Sequence, residues 1–323
     1  MGRKYLVTGG AGFIGSNFIR HLFVKEPDAS ITNFDALTYA GVPATVAELD
    51  ENRNHRFVEG DIRDPEAVGE VMPGHDVVVH FAAESHVDRS IVGPAPFLET
   101  NFVGTGVLLD AALRHEVPRF VHVSTDEVYG SLPTGSAAED YPLDPSSPYS
   151  SSKAGSDLLA RSYHITFGYD VAVTRCTNNY GPYQFPDKVI PLFVTNLMDG
   201  KKAPLYGEGA NERDWLYVDD HCAALHLLVD KAVPGEVYNI GSGTQLSNLE
   251  LTRAILEHLG MDESWIESVP DRPGHDLRYA LDSSKLETLG WSPEHDFTSG
   301  LAGTIEWYRE RRDWWEPLKG VFS

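Results

Sequence analysis

Cysteine is almost absent: the 323 residues hold two, Cys176 and Cys222. Two thiols cannot build a disulfide framework or a thiolate metal site, so both are expected buried and reduced. Positive charge is scarce too, with 26 Lys and Arg against 48 Asp and Glu and a net charge of -22. So acidic a chain repels nucleic-acid phosphates and anionic lipid, which argues against both as partners. An anionic substrate would need local cations to overcome that field. Long apolar runs are missing, and none approaches the ~18 residues of a membrane span. The opening stretch MGRKYLVTGG has no signal-peptide apolar region, and Leu6 stands where a myristoylation signal has Ser or Thr. The 13 histidines show neither HExxH nor facial-triad spacing, so no metal is expected. A cytoplasmic protein without membrane or nucleic-acid partners is the expectation.

Enough apolar residues remain for a full core, 41% of the chain against 23% charged. The length suits one large or two modest domains. The chain opens strand, turn, helix: Lys4–Thr8 is β-rich, then Phe13, Ile14, Phe18, Ile19 and Leu22 recur at helical spacing. Short apolar runs follow at Ile31–Phe34, Arg56–Val58, Val77–Phe81, Phe120–Val123 and Val171–Thr174. Helical patterns lie between them, among them Pro96–His115 and Tyr149–Phe167. This alternation predicts an α/β fold: a doubly wound (Rossmann) parallel sheet covered on both faces. After about residue 176 the rhythm breaks into turn formers and aromatics. Ser247–Gly260 reads as a helix, with Ser247 as N-cap and Glu250 completing a capping box. Trp291, Trp307, Trp314 and Trp315 are expected to close a smaller domain. The expected division is 1–176, joined by part of 214–242, and a smaller mixed α/β C-terminal substrate domain over 177–323. The cleft between them is the expected ligand site.

Thr8-Gly9-Gly10-Ala11-Gly12-Phe13-Ile14-Gly15 follows the first strand and opens the first helix. Gly9 suits the tight turn, Gly12 lets a pyrophosphate approach the backbone, and Gly15 lets helix and strand pack closely. The helix N-terminus offers free N–H groups to phosphates. Asp35 ends the second strand, 20 residues beyond Gly15. A carboxylate there accepts from both ribose hydroxyls and repels a 2′-phosphate, so NAD is expected rather than NADP. Asp61-Ile62 after the third strand could hold the adenine edge, or Asp61 could simply cap a turn. Phe81-Ala82-Ala83 after the fourth offers small side chains where a cofactor comes close, or packs as plain core.

Tyr149-Ser-Ser-Ser-Lys153 sets a phenol and an ammonium four apart, on one helix face. A phenol titrates near ~10 in water. A neighbouring cation, together with a positive nicotinamide, favours its phenolate and is expected to bring it into range as a base. Thr125-Asp126-Glu127 follows the fifth strand at the carboxyl edge of the sheet, where ligands bind. Two carboxyl groups do nothing for simple hydride transfer. They make sense where a reaction needs an extra acid and an extra base; alone, they would read as a solvated loop.

These motifs together resemble the extended short-chain dehydrogenase/reductase superfamily. Within it the chain is similar, essentially end to end, to the dTDP-glucose 4,6-dehydratases. Thr125-Asp126-Glu127-Val128-Tyr129-Gly130 is the most selective stretch. The similarity includes Ala82–Ser90, Asn178–Tyr183, Arg213–His221 and Asp271–Asp276. The resemblance implies tightly bound NAD, dTDP-glucose as substrate, a homodimer built on helices near Pro96–His115 and Tyr149–Phe167, and dTDP-4-keto-6-deoxyglucose plus water as products. Tyr149 would take the C4 hydroxyl proton during oxidation, with Thr125 positioning that hydroxyl and Lys153 supporting the phenolate. Glu127 would then remove the C5 proton, and neutral Asp126 would protonate the departing C6 hydroxyl. Adjacent like charges in a closed cleft help split those two pKa values.

By the same resemblance, Gly9, Gly12, Phe13, Ile14, Gly15, Asp35, Leu37, Thr38, Asp61 and Ile62 would contact the cofactor. So would Phe81, Ala82, Ala83, Ser85, Thr100, Tyr149, Lys153 and Asn179. The substrate would meet Ser85, Thr125, Asn178, Lys188, Val189, Pro204, Tyr206, Arg213, Asn248, Arg272 and His275. Arg213 and Arg272 would fork onto the diphosphate. An ion pair with Asp214 or Glu212 is the alternative for Arg213, and ordinary packing for Tyr206 and His275. A 4-epimerase, a decarboxylase and a dinucleotide-sensing module are the alternative functions. The acid pair argues against the first, no cation can be assigned to a sugar carboxylate for the second, and a sensor needs no intact catalytic set.

Overall fold

The computed structural model describes residues 2–271 and 274–321. Twelve strands form among the described residues. They are β1 (Lys4–Thr8), β2 (Ser30–Asp35), β3 (His55–Glu59), β4 (Val77–His80), β5 (Arg119–Thr125) and β6 (Val171–Cys176), then β7 (Asn178–Tyr180), β8 (Ala203–Tyr206), β9 (Glu212–Tyr217), β10 (Val237–Ile240), β11 (Gln245–Ser247) and β12 (Ile266–Val269). Seven make one sheet in the order β10-β6-β5-β4-β1-β2-β3. Every adjacent pair in it is parallel. The order reverses between β1 and β4, so the ligand crevice of this doubly wound sheet opens past their carboxyl ends.

Strand side chains alternate between two covered faces. Tyr5 and Val7 pack in the core of helices Phe13–Lys25 and Val218–Lys231. Leu6 points the other way, to helices Thr105–Arg114 and Pro148–Phe167. The chain beyond β6 builds a second set of layers. β9 sits between β11 and β7, and β8 pairs with β12. Helix Asn248–Leu259 starts at Ser247, whose side chain and that of Glu250 cap each other, and ends at Gly260 with φ +69°. Trp314 and Trp315 are buried with Trp215, Tyr180 and Phe193 in this second core and Trp307 packs against it, whereas Trp291, expected there, is buried in the core of the first sheet. Strand β10 and helix Val218–Lys231 return the chain to the first sheet.

The stretch expected as one helix, Pro96–His115, is a composite. A short α segment (Ala95–Phe97) leads into a π-helical stretch (Leu98–Gly104) and then the α-helix Thr105–Arg114. Asn101 sits in the widened part, buried. Its Oδ1 accepts from the Glu84 amide at 2.8 Å, and its Nδ2 donates to the Glu84 carbonyl and Ser152 Oγ at 2.9 Å each. This clamp holds the loop that follows β4.

Candidate active site

A cavity of about 1240 Å³ runs from the residues following β1 and β4 to Pro204, Tyr206 and Asn248 of the second unit. Its floor is the glycine turn. Gly9 adopts φ +74°, and a Cβ there would stand 2.6 Å from the Ala82 nitrogen. A Cβ on Gly15 would stand 2.4 Å from the Gly9 oxygen. These two glycines serve the protein's own close packing. Gly12 differs: a Cβ there would meet only the Gly9 oxygen, at 3.3 Å, and Gly12 lines the cavity. No side chain caps the helix that begins after it. Its free N–H groups and bare backbone make a cradle for a phosphate.

Asp35 ends β2 nearly buried. Its Oδ2 accepts from the Ala11 amide at 3.0 Å and its Oδ1 from the Leu37 amide at 2.8 Å. Burial pushes its pKa up, while the two amides pull it down. Phe13, Ile14, Thr38, Asp61, Ile62 and Thr100 line this arm, as do Phe81, Ala82, Ala83 and Ser85. Leu37 is the exception: it is outside the lining, with φ +48°, and serves Asp35 through its main chain. Asp61 is one-third exposed and caps its turn by accepting from the Arg63 amide at 2.8 Å, while lining the cavity. Arg63 forks onto it, with Nη2 2.6 Å from Oδ2, and holds it below the usual carboxylate range. A phosphate cradle beside a buried carboxylate at the second strand's end fits a dinucleotide.

β5 delivers Thr125, whose Oγ1 accepts from the Glu127 amide at 3.3 Å and starts one 3₁₀ turn, Asp126–Tyr129. Across from it, helix Pro148–Phe167 is fixed at its start by a Ser147–Ser150 capping box and by Pro148. That helix brings Tyr149 and Lys153 to the same cavity wall as Thr125, Asp126 and Glu127. Thr125 donates to Asp126 Oδ1 at 3.2 Å and also faces the Tyr149 phenol. Lys153 Nζ donates to the Val123 carbonyl at 2.8 Å, so the ammonium is anchored on β5.

The two carboxyls differ in surroundings. Asp126 is buried and its Oδ2 has no hydrogen-bond partner, whereas Glu127 is only half-buried. Burial, reinforced by the Glu127 charge, drives Asp126 well above the carboxylate range despite Arg213. A buried carboxyl with an unbonded oxygen is best kept as the neutral acid. Without a bound nicotinamide, Tyr149 lies far from a phenolate. Lys153 does not bring the phenol down; burial, followed by the Glu127 charge, pushes it well above its usual value. Loss of water around a phenolate outweighs an ammonium that is itself desolvated and bonded elsewhere. A positive ring bound beside it would work in the opposite direction.

The far arm gathers Asn178, Asn179, Lys188, Val189, Pro204, Tyr206, Arg213, Asn248 and His275 at the same cavity. Arg213 pairs with neither Asp214 nor Glu212 carboxylate. It donates to the main-chain oxygens of Glu212 (2.7 Å) and Asp276 (2.9 Å), and lies over the Tyr279 ring at 4.3 Å. Asp214 is occupied by Ser242, Gly243 and Thr244. Lys188 Nζ reaches the Ser85 carbonyl at 3.4 Å, joining the two sides of the cleft. Tyr206 meets His275 edge-on at 6.1 Å, and His275 Nδ1 is 2.7 Å from Asp271. Arg272 lies outside the described residues.

A profile of the GDP-mannose 4,6 dehydratase family matches residues 6–304. A dTDP-glucose 4,6-dehydratase from Streptomyces niveus is 56% identical over 321 residues, 98% of this chain and 96% of the relative. The chain belongs to the nucleotide-sugar 4,6-dehydratase family. A crystal structure of a dTDP-glucose 4,6-dehydratase from Streptomyces venezuelae with NAD bound is 55% identical, at TM-score 0.95, covering 98% of this chain and 99% of that one. A UDP-glucose 4-epimerase structure from Thermotoga maritima, 31% identical at TM-score 0.89, covers 96% of this chain and 99% of that one. The 4,6-dehydratases and 4-epimerases thus share this frame, and the residues around the sugar must separate them.

In this 4,6-dehydratase the structure also adds residues that motif reasoning passed over. Asn101 clamps Glu84 from a π-helical turn, a feature often found at functional sites. Cys176 lines the cavity near Lys153 and Asp126, its thiol pushed up to about 12 by burial, which leaves it inert. His86 Nε2 stands 3.6 Å from Asp187 across the cleft. Of these, only His86 lies in a quoted motif, and no spacing rule ties it to Asp187.

Proposed function

We propose that this protein is an NAD-dependent dTDP-glucose 4,6-dehydratase, a lyase that forms dTDP-4-keto-6-deoxyglucose and water. The observation that carries the reading is Asp126: a buried carboxyl pushed far up in pKa, one residue from half-buried Glu127, on the wall that holds Tyr149 and Lys153. A simple dehydrogenase or a 4-epimerase has no work for a neutral acid there. Gly12 with the following helix start, Asp35 and Thr38 would hold the dinucleotide. Bound NAD would supply the hydride acceptor for C4 at the start and, once reduced, the hydride donor for C6 at the end.

The protein's own groups move the protons. Thr125 positions the C4 hydroxyl, and Tyr149 takes its proton. Lys153 keeps a positive charge nearby. The resulting C4 carbonyl acidifies C5, whose proton goes to Glu127. Asp126 gives its proton to the C6 hydroxyl, which leaves as water. The buried Arg213 guanidinium, with Lys188, would meet the diphosphate against a strongly acidic background. Pro204, Tyr206, Val189 and Asn248 would meet the nucleoside.

The same reading includes a cytoplasmic homodimer in two units, cofactor and substrate, with a cleft between them. Leu98, Phe102, Val103, Leu158 and Ile165 are exposed on neighbouring segments of two helical stretches, an apolar surface that a second copy would cover. Buried free thiols suit a reducing compartment. The test is to incubate the protein with dTDP-glucose and follow the base-induced absorbance of a 4-keto-6-deoxy product. C4 epimerisation without that absorbance would favour the epimerase instead.

A further inference from the structure

Helix Val218–Lys231 carries a histidine that the proposed reaction does not use. His221 is fully buried. Its Nδ1 lies 2.9 Å from Asn179 Oδ1, and its Nε2 is buried without a partner. A proton on Nε2 would be an orphaned N–H in the core, a rare and costly state. The proton therefore sits on Nδ1 and is donated to Asn179. Burial lowers the imidazole to about 3, so it stays neutral at working pH.

Asn179 is held on its other sides too. Its Nδ2 donates to the Thr177 carbonyl at 2.9 Å, and its own carbonyl accepts from Gln184 Nε2 at 2.9 Å. The amide also faces the Cys176 thiol. Turning it over would set Nδ2 against the His221 N–H and lose the Thr177 bond. Cys176, Thr177 and Asn179 line the cavity, as Lys153 does.

We propose that His221 is a positioning residue, which pins the Asn179 carboxamide in one orientation and so fixes the polar face that this wall turns to the nicotinamide end of the cofactor. The inference rests on the NAD-dependent reading above. Core packing alone does not call for an imidazole here. Leucine or methionine would fill the position without burying an unsatisfied nitrogen, and among the described residues the ring's only polar contact is Asn179.

The test uses the full chain with His221→Leu and His221→Met, which lack the donor, and His221→Gln, which keeps one. The donor-free variants are expected to keep the thermal midpoint within a few degrees, because loss of the orphaned Nε2 offsets the acceptor left unpaired on Asn179. They should also raise the NAD dissociation constant about tenfold and lower kcat about tenfold, with KM for dTDP-glucose within about twofold. His221→Gln should recover most of both losses. On an Asn179→Ala background, His221→Leu should add less than about twofold. Should one donor-free variant not fold, the other carries the comparison. Wild-type affinity and kcat in a folded donor-free variant, or full additivity with Asn179→Ala, would overturn the role. An unsubstituted protein that binds NAD yet does not turn over dTDP-glucose would instead count against the proposed reaction, and the affinity measurements would still decide the role of His221.

Discussion

The Thr125 hydroxyl donates to Asp126 Oδ1 at 3.2 Å and leaves Oδ2 buried without a partner. One oxygen is tied and the other is not, the arrangement expected of a carboxylic acid that holds a proton for a ligand. Glu127, half-buried in the same 3₁₀ turn, has the opposite task. The chemistry of elimination thus follows from a burial difference between adjacent residues.

Asp126→Asn should separate activity from stability. The folded protein holds the Asp126 proton more tightly than the unfolded chain, where the group titrates near ~3.8. Between that value and its raised folded value, the native state binds more protons, so stability falls as pH rises through the window. Asparagine removes the titration. The variant should lose about 10²–10³-fold in kcat. At neutral pH it should gain on the order of 1 kcal/mol, or roughly 2 °C in Tm. Calorimetry beside the product assay checks both; a destabilised variant would contradict the reading of Asp126 as a neutral acid.

Glu127→Gln should block proton removal from C5. In deuterated buffer the unsubstituted protein should yield product carrying deuterium at C5, because C5 is reprotonated after elimination. The variant should neither exchange C5 in recovered substrate nor form product above about 10⁻² to 10⁻⁴ of the original rate. Mass spectrometry of the recovered sugar nucleotide reads both. Asp126→Asn with Glu127 intact should still exchange C5, which distinguishes base from acid. Equal exchange in both variants would reverse or void the assignment.

The glycine turn offers a second separation. Gly15→Ala would push a Cβ to 2.4 Å from a main-chain oxygen, and neither side can yield cheaply. It should cost about 1–3 kcal/mol of stability. Gly12→Ala meets that same oxygen only at 3.3 Å and otherwise faces the cavity. It should leave the urea midpoint of the cofactor-free protein almost unchanged and weaken NAD binding at least about tenfold. Titration calorimetry and urea unfolding of both variants would reveal a reversed order.

These cases also mark what the sequence made legible. Periodicity located β1, β2 and β4–β6 within a residue or two, because doubly buried strands between helices leave an apolar signal that spacing alone reads. Spacing likewise located the glycine turn, Asp35 and the Thr125–Glu127 segment, since each is local in the chain. Burial and cross-chain partners were not legible. Nothing local says that Tyr149 loses its water, or that Lys153 spends a hydrogen bond on Val123. The π turn at Leu98–Gly104 keeps nearly helical apolar spacing, so Pro96–His115 reads as one regular helix. Asn179 and His221 are 42 positions apart, and only the fold makes them neighbours.

Acid should unfold this protein through its buried histidines. His80 sits between Thr8 (2.7 Å) and Thr105 (3.0 Å), fully buried, and burial holds it well below the usual value. His221 is lowered to about 3 and the half-covered His21 to about 4. All three stay neutral in the folded protein, whereas the unfolded chain takes up a proton near pH ~6.5. Below that value the unfolded state binds more protons, so this stability is fully present above it and is lost progressively toward the folded values near 3 to 4. The urea midpoint should therefore fall steadily between pH 7 and 5, before most carboxylates titrate. His221→Leu should flatten that slope by about one proton's worth, near 1.4 kcal/mol per pH unit at most. An unchanged slope in a folded variant would mean that His221 already carries its proton in the native state.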